Sequence, residues 1–127
     1  MNKLLIFCFL LTSFSIHAQV FVNKTNVNAE SVAYIEVWEK YDDERQSYVA
    51  MVDFGQKDDR KADKEGVRLR ITNEKGAVLD FNGSMHILNY LHKQGWELFH
   101  IKTIGKYESY IMRRASTENV ELSRIRN

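Results

Sequence analysis

The side chains that could do metal chemistry are spread thinly along this chain of 127 residues. His86, His92 and His100 are the histidines beyond the N-terminal segment, and the first two are six residues apart. That spacing does not place two ligands on one face of a helix, as a spacing of four would. The acidic runs at 42–44 and 58–59 lack the repeated acidic loop and distal glutamate of a calcium site. We therefore expect no metal site.

Carboxylates could support acid–base catalysis if two of them faced each other across a cleft. Five stand in or beside predicted strands, namely Glu36, Glu39, Asp53, Asp80 and Glu97. Sequence spacing alone cannot pair them, and the chain shows no nucleophile elbow, phosphate-binding loop or dinucleotide-binding glycine pattern. We therefore predict a protein that is not an enzyme, has no catalytic residue and uses no cofactor. A small hydrolase is the alternative.

A pair of aromatic strands is the feature that points to binding. Residues 32–41 and 47–55 are dense in β-branched and aromatic side chains, and the polar turn between them predicts a β-hairpin. Because side chains alternate along a strand, each face of this hairpin receives large apolar groups. One face of the first strand receives Tyr34, Glu36, Trp38 and Lys40, and the other receives Ile35, Val37, Glu39 and Tyr41. The second strand separates Tyr48, Ala50, Val52 and Phe54 from Val49, Met51 and Asp53.

The chain supplies one convincing helix to cover these faces, because Met85, Ile87, Leu88 and Leu91 repeat at helical spacing. A helix of about ten residues is about 15 Å long and covers two or three strands on one face of a sheet. We therefore expect the second face to stay open. Exposed aromatic patches usually mark interfaces, so we predict that Tyr34, Trp38 and Tyr48 bind a partner. The alternative is that the two ends of the chain cover this face.

The rest of the pattern completes an α+β fold. Alternation and turn residues predict a charged loop at 56–66 and further strands at 67–72, 77–81, 96–103 and 108–114. The order β-β-β-β-α-β-β predicts a mainly antiparallel sheet of five to six strands with one principal helix. We place this single domain at 32–114, between an N-terminal arm at 19–31 and a C-terminal tail at 115–127.

The two ends of the predicted helix carry residues with structural roles. Ser84 is of the type that caps a helix N-terminus with its side chain. Gly95 stands where a helix ends in a left-handed residue, and Trp96 would then fold back on Leu91 and Tyr90. We therefore assign Ser84, Leu91, Gly95 and Trp96 to the architecture of the fold.

The same helix end carries a resemblance to a family. The pattern L-N-Y-L-x-x-x-G-W-E-L from Leu88, followed by a strand, a short turn and Y-I-M-R-R, resembles small bacterial domains of unknown function. The stretch D-F-G-Q at 53–56 and the turn T-N-E-K-G-x-x-x-x-F-N are similar to exported proteins of Bacteroidetes. The resemblance covers roughly residues 48–114. It implies the fold described above and assigns no catalytic residue.

Residues 1–18 have the pattern of a secretory signal peptide. Lys3 precedes an apolar run at 4–11, and cleavage after Ala18 would leave Gln19 as the first residue. An apolar segment this short does not span a bilayer, which needs about 20 residues. Cys8 is the only cysteine and lies in this segment, so the mature chain has no disulfide. We expect export to the periplasm or the medium, with no membrane anchor after the signal is removed.

Charge excludes one further class of partner. Lys3 is the only charged residue among the first 18, so the 18 basic and 17 acidic residues of the chain become 17 of each after cleavage. A neutral domain is not typical of a nucleic-acid or membrane-surface binder. We predict a small exported binding module whose partner is a second copy, an envelope protein or a flat ligand such as a glycan. The alternative is an inhibitor or immunity-type protein that acts on a cell-envelope enzyme.

Overall fold

The computed structural model describes residues 18–56 and 69–115. The predicted signal peptide up to residue 17, the charged loop with the start of the third strand at 57–68, and the tail from 116 lie outside these residues. The described elements, in chain order, are β1 (Phe21–Val22), β2 (Thr25–Asn26), a 3-10 turn (Val27–Ala29), β3 (Tyr34–Asp42), β4 (Ser47–Asp53), β5 (Ile71–Thr72), α1 (Ser84–Lys93), β6 (Trp96–Ile104) and β7 (Tyr107–Arg114).

The described strands form two antiparallel sheets rather than the single sheet expected. The larger has the order β4-β3-β7-β6, and the smaller has the order β2-β1-β5. The expected α+β class with mainly antiparallel pairing is confirmed, whereas the expected strand count and arrangement are wrong. The segment 77–81 forms isolated bridges to Thr72 and Tyr48 rather than a strand. It runs from β5 to the outer edge of β4, so it pairs briefly with each.

The N-terminal segment that we predict as an arm packs into the folded core. Val20, Val22 and Val27 are at most 1% exposed. The Asn28 side chain accepts hydrogen bonds from the Val20 backbone N–H at 2.9 Å and from the Trp96 indole N–H at 3.2 Å. The asparagines between these valines obscure the apolar pattern in the sequence. The Asn28 side chain nevertheless satisfies the backbone N–H of the buried Val20.

The helix is fixed to the larger sheet through its apolar face. Ile87 and Leu91 are buried in one core with Ile35, Val37, Ala50, Val52, Trp96 and Met112. Gly95 has a φ of 86°, and its N–H donates to the His92 carbonyl at 3.1 Å, as a glycine after a helix does. This turn delivers Trp96 directly into the core, where it is fully buried. The predicted structural roles of Leu91, Gly95 and Trp96 agree with these positions.

The start of the helix differs from the prediction. The N-cap residue is Gly83, with a φ of 153°, and no described side chain caps the helix there. Ser84 is the first helical residue instead. The His86 imidazole Nδ1 accepts a hydrogen bond from the backbone N–H of Asn82 at 3.1 Å. A histidine in the first turn of the helix therefore satisfies a backbone N–H that precedes the helix. A glycine at the cap is favoured because only glycine adopts this φ without strain.

Candidate functional site

A cleft opens where the two long hairpins of the larger sheet separate. The β3–β7 register begins at Tyr34 opposite Arg113 and ends at Val37 opposite Tyr110. Both strands continue beyond that point, β3 to Asp42 and β7 back to Tyr107. Within the described strands no ladder pair joins these continuations. The gap is a cavity of about 500 Å³ lined by Glu36, Trp38, Glu39, Lys40, Asp53, Lys102, Ile104, Tyr107, Glu108 and Ser109.

Most of this lining belongs to the face of the sheet that is turned away from α1, which we call the open face. In β3, Ile35 and Val37 enter the core, whereas Tyr34 is 52% exposed and Trp38 is half-buried. The predicted alternation of β3 is therefore confirmed. Tyr34, Glu36, Trp38 and Lys40 share the open face, and two of the three predicted binding residues lie together on it.

Tyr48, the third predicted binding residue, is placed elsewhere. It stands opposite Tyr41 across the β3–β4 hairpin, and the two rings meet edge-on with centroids 5.2 Å apart. Tyr41 has the same parity as Ile35 and Val37, so this pair lies on the face that packs against α1. Tyr48 also exchanges two backbone hydrogen bonds with Phe81. Tyr48 therefore lies on the opposite face of the sheet from Tyr34 and Trp38.

Among residues 18–56 and 69–115, the open face is covered at β4 and exposed from β3 to β6. Val49 and Met51 point to this face but are at most 3% exposed. Met51 forms a backbone bridge with Arg70, whose guanidinium donates to the Asp42 carboxylate at 2.7 Å. Both of these charged side chains are nearly buried. The segment ending in β5 therefore closes one side of the open face, and the cleft lies beside this covered part.

A carboxylate ties three strands together at the floor of the cleft. Glu36 Oε1 accepts the Ser109 hydroxyl at 2.6 Å and the Lys102 ammonium at 3.2 Å. The hydrogen bond from Ser109, and then the hydrogen bond and charge of Lys102, hold the pKa of Glu36 below its usual range despite partial burial. Glu36 is thus an ionised hydrogen-bond acceptor, with Lys102 as its counter-charge.

Two aromatic side chains flank this polar floor. Trp38 rises from β3 opposite the buried Met51, and Tyr107 begins β7 with 70% of its surface exposed. Ile104 stands opposite Tyr107 in the β6–β7 hairpin and is also exposed. The Lys106 ammonium lies 5.4 Å from the centre of the Tyr107 ring. The cleft therefore offers flat apolar walls around an anionic floor.

A second aromatic group continues the open face towards the start of β6. The Tyr34 and Phe99 rings are 5.5 Å apart, and the Arg113 guanidinium lies 5.1 Å from the Phe99 ring. Arg113 also donates to Glu97 at 2.7 Å. Tyr34 and Phe99 thus form an exposed aromatic patch, which contacts the ion pair of Arg113 and Glu97.

A β-bulge decides which β6 side chains reach the open face. Leu98 pairs with Met112 and His100 with Ile111, so Phe99 is an extra residue. Beyond the bulge the alternation is shifted, and Lys102 pairs with Ser109 on the open face. Without the extra residue, Lys102 would point to the opposite face from Glu97. Sequence reasoning missed Lys102, Ser109 and Tyr107 because the bulge and the separation of the hairpins leave no local sequence signal.

Metal ligands do not gather in the described part of the chain, where no group of three histidine, cysteine or acidic side chains is placed to hold an ion. Across residues 18–56 and 69–115, no helix has the length and apolar character needed to cross a membrane.

Comparison with family models, with curated proteins and with solved structures finds no match. The cleft must therefore be interpreted from its own chemistry.

Proposed function

We propose that this protein is a small exported, non-enzymatic binding module whose binding site is the open-face cleft. The observation that carries the proposal is the cavity of about 500 Å³ between Trp38 and Tyr107. Ligand sites are typically concave, with apolar and aromatic walls and a few placed polar groups. Here the walls are the two aromatic rings and Ile104, and Glu36 is a polar group held in place by Ser109 and Lys102.

A neutral glycan is the ligand class that this lining favours. Four carboxylates, of Glu36, Glu39, Asp53 and Glu108, line the cleft with two lysines, Lys40 and Lys102. An acidic ligand would be repelled by this excess of negative charge. Sugar hydroxyls can donate to carboxylates, which accept without donating when ionised. The apolar ring face of a sugar can pack on the exposed aromatic surfaces.

Binding is favoured over catalysis by the state of Glu36. A general acid works best when its pKa is raised towards the working pH. Ser109 and Lys102 move the pKa of Glu36 in the opposite direction. This carboxylate is therefore suited to accept hydrogen bonds from a ligand rather than to deliver a proton to it. Extracellular glycans would meet the protein after the export that residues 1–18 predict.

The experiment is a calorimetric titration of the purified protein with neutral oligosaccharides of the cello, xylo, manno, chito and malto series. We expect at least one series to bind and Trp38→Ala to weaken that binding by about tenfold or more, since aromatic anchors dominate binding energy. Tyr41→Ala is the control, because Tyr41 is an exposed aromatic of the same strand on the opposite face. Absence of binding in every series, or equal losses in both variants, would contradict the proposal.

A further inference from the structure

Strand β6 is an exposed edge with large apolar side chains on both faces. It ends the larger sheet, and in the described ranges no strand pairs with its outer side. Every residue from 98 to 104 is exposed. Leu98, Phe99, Ile101 and Ile104 are between 46% and 63% exposed. Proteins normally shorten, charge or cover such edges because they pair readily with other strands.

We propose that β6 pairs antiparallel with β6 of a second copy of this chain, joining two four-stranded sheets into one. A two-fold axis perpendicular to the sheet, passing between Phe99 and His100, would set Glu97 opposite the second copy's Lys102. The same axis sets Leu98 opposite Ile101. Directly opposed side chains in antiparallel strands contact each other. This register matches an acidic residue with a basic one and an apolar residue with an apolar one.

The bulge at Phe99 is what makes this self-pairing consistent. Glu97 pairs with Arg113 and Lys102 with Ser109, so both lie on the open face. Leu98 pairs with the buried Met112 and Ile101 with Tyr110, so both lie on the other face. In a regular strand, residues separated by an odd number of positions point to opposite faces and could not oppose one another across this axis.

Ion pairs within each copy extend the charge match. Within one copy, the Glu97 carboxylate accepts a hydrogen bond from the Arg113 guanidinium at 2.7 Å. The Lys102 ammonium donates to the Glu36 carboxylate at 3.2 Å. Across the proposed interface the order becomes Arg113, Glu97, then the second copy's Lys102 and its Glu36. The charges alternate in sign along that row, and the two-fold axis repeats it. This self-complementarity is the reason for naming a second copy as the occupant of the edge.

The test is sedimentation velocity of the purified protein and two charge-reversal variants. We expect the unchanged protein to form a dimer, and Lys102→Glu and Glu97→Lys to be monomeric when measured alone. Mixing the two variants should restore a dimer, because each Glu then opposes a Lys in both halves of the interface. Lys93→Glu on the exposed side of α1 is the control and should stay dimeric.

Folding is checked separately, because Glu97→Lys places a cation beside Arg113 and Lys102→Glu places a carboxylate beside Glu36. Ile101→Lys adds a charge at an exposed position outside both ion pairs, and we expect it to be monomeric and folded by circular dichroism. A monomeric unchanged protein would overturn the proposal. So would a dimer that survives Ile101→Lys, or folded charge variants that stay monomeric when mixed. None of these results depends on whether the cleft binds a glycan.

Discussion

The Ser109 hydroxyl lies 2.6 Å from Glu36 Oε1, which ties β7 to β3 where the two strands part. The last β3–β7 ladder pair is Val37 with Tyr110. Ser109 is the next residue of β7 beyond it, so a side-chain bond replaces the backbone bonds that the diverging strands lack. Lys102 completes this arrangement from β6. The floor of the cleft is therefore held in shape by an ionised carboxylate.

Replacing that carboxylate should destabilise the protein in a pH-dependent way. Because folding lowers the pKa of Glu36, the folded state binds the proton less tightly than the unfolded state. The stabilising contribution is complete above the ordinary value of 4.5 and is lost as the pH falls through the lower folded pKa. We expect Glu36→Gln to cost roughly 1 kcal/mol at pH 7, measured by urea unfolding.

The difference in unfolding free energy between Glu36→Gln and the unchanged protein should shrink as the buffer is brought below pH 4.5. Glu39→Gln is the control, since Glu39 is exposed and lies on the other face of the same strand. A constant difference at all pH values would show that the substitution acts through packing and not through the charge of Glu36.

Asn28 should contribute more to the stability of the protein than its place in a polar segment suggests. Its amide accepts from Val20 and Trp96 and donates to the Gln94 carbonyl at 2.9 Å. Asn28→Ala leaves the indole N–H of the buried Trp96 without this acceptor. We expect a loss of about 2 kcal/mol or more in unfolding free energy. Asn89→Ala, on the exposed side of the helix, should change stability little; equal losses would contradict this role for Asn28.

The helix start offers a test of which residue forms the cap. Gly83→Ala forces a side chain onto a φ of 153°, although no described atom lies within 4 Å of the new Cβ. The cost is therefore backbone strain, of order 1–3 kcal/mol. Ser84→Ala should be close to neutral, because the Ser84 side chain does not cap the helix. Thermal unfolding of the two variants checks this. A larger loss of stability for Ser84→Ala than for Gly83→Ala would show that Ser84 caps the helix.

How far the sequence predicts this molecule depends on whether a residue's environment is local. The alternation of Ile35 and Val37 against Tyr34 and Trp38 follows from strand geometry and was correctly predicted. The glycine turn that leads into Trp96 is equally local. Both features can be predicted because the residue types and their spacing in the local sequence suffice to place them.

Other features depend on contacts between distant segments. Asn28 lies 68 residues from Trp96, and neither position indicates the other in the sequence. The bulge at Phe99 shifts the alternation of β6, so counting by twos places Lys102 on the wrong face. Alternation separates the two faces of β4 but does not say which of them packs against the helix, so it does not place Tyr48 relative to Tyr34 and Trp38.

The most direct test of the binding site is a set of ¹H–¹⁵N correlation spectra recorded during titration with the neutral oligosaccharides. We expect the Trp38 indole signal and the amides of Glu36, Tyr107 and Ser109 to shift with one of these series. The indole signal of the fully buried Trp96 should stay in place. Shifts confined to the Tyr41 and Tyr48 face, or no shift with any series, would contradict it.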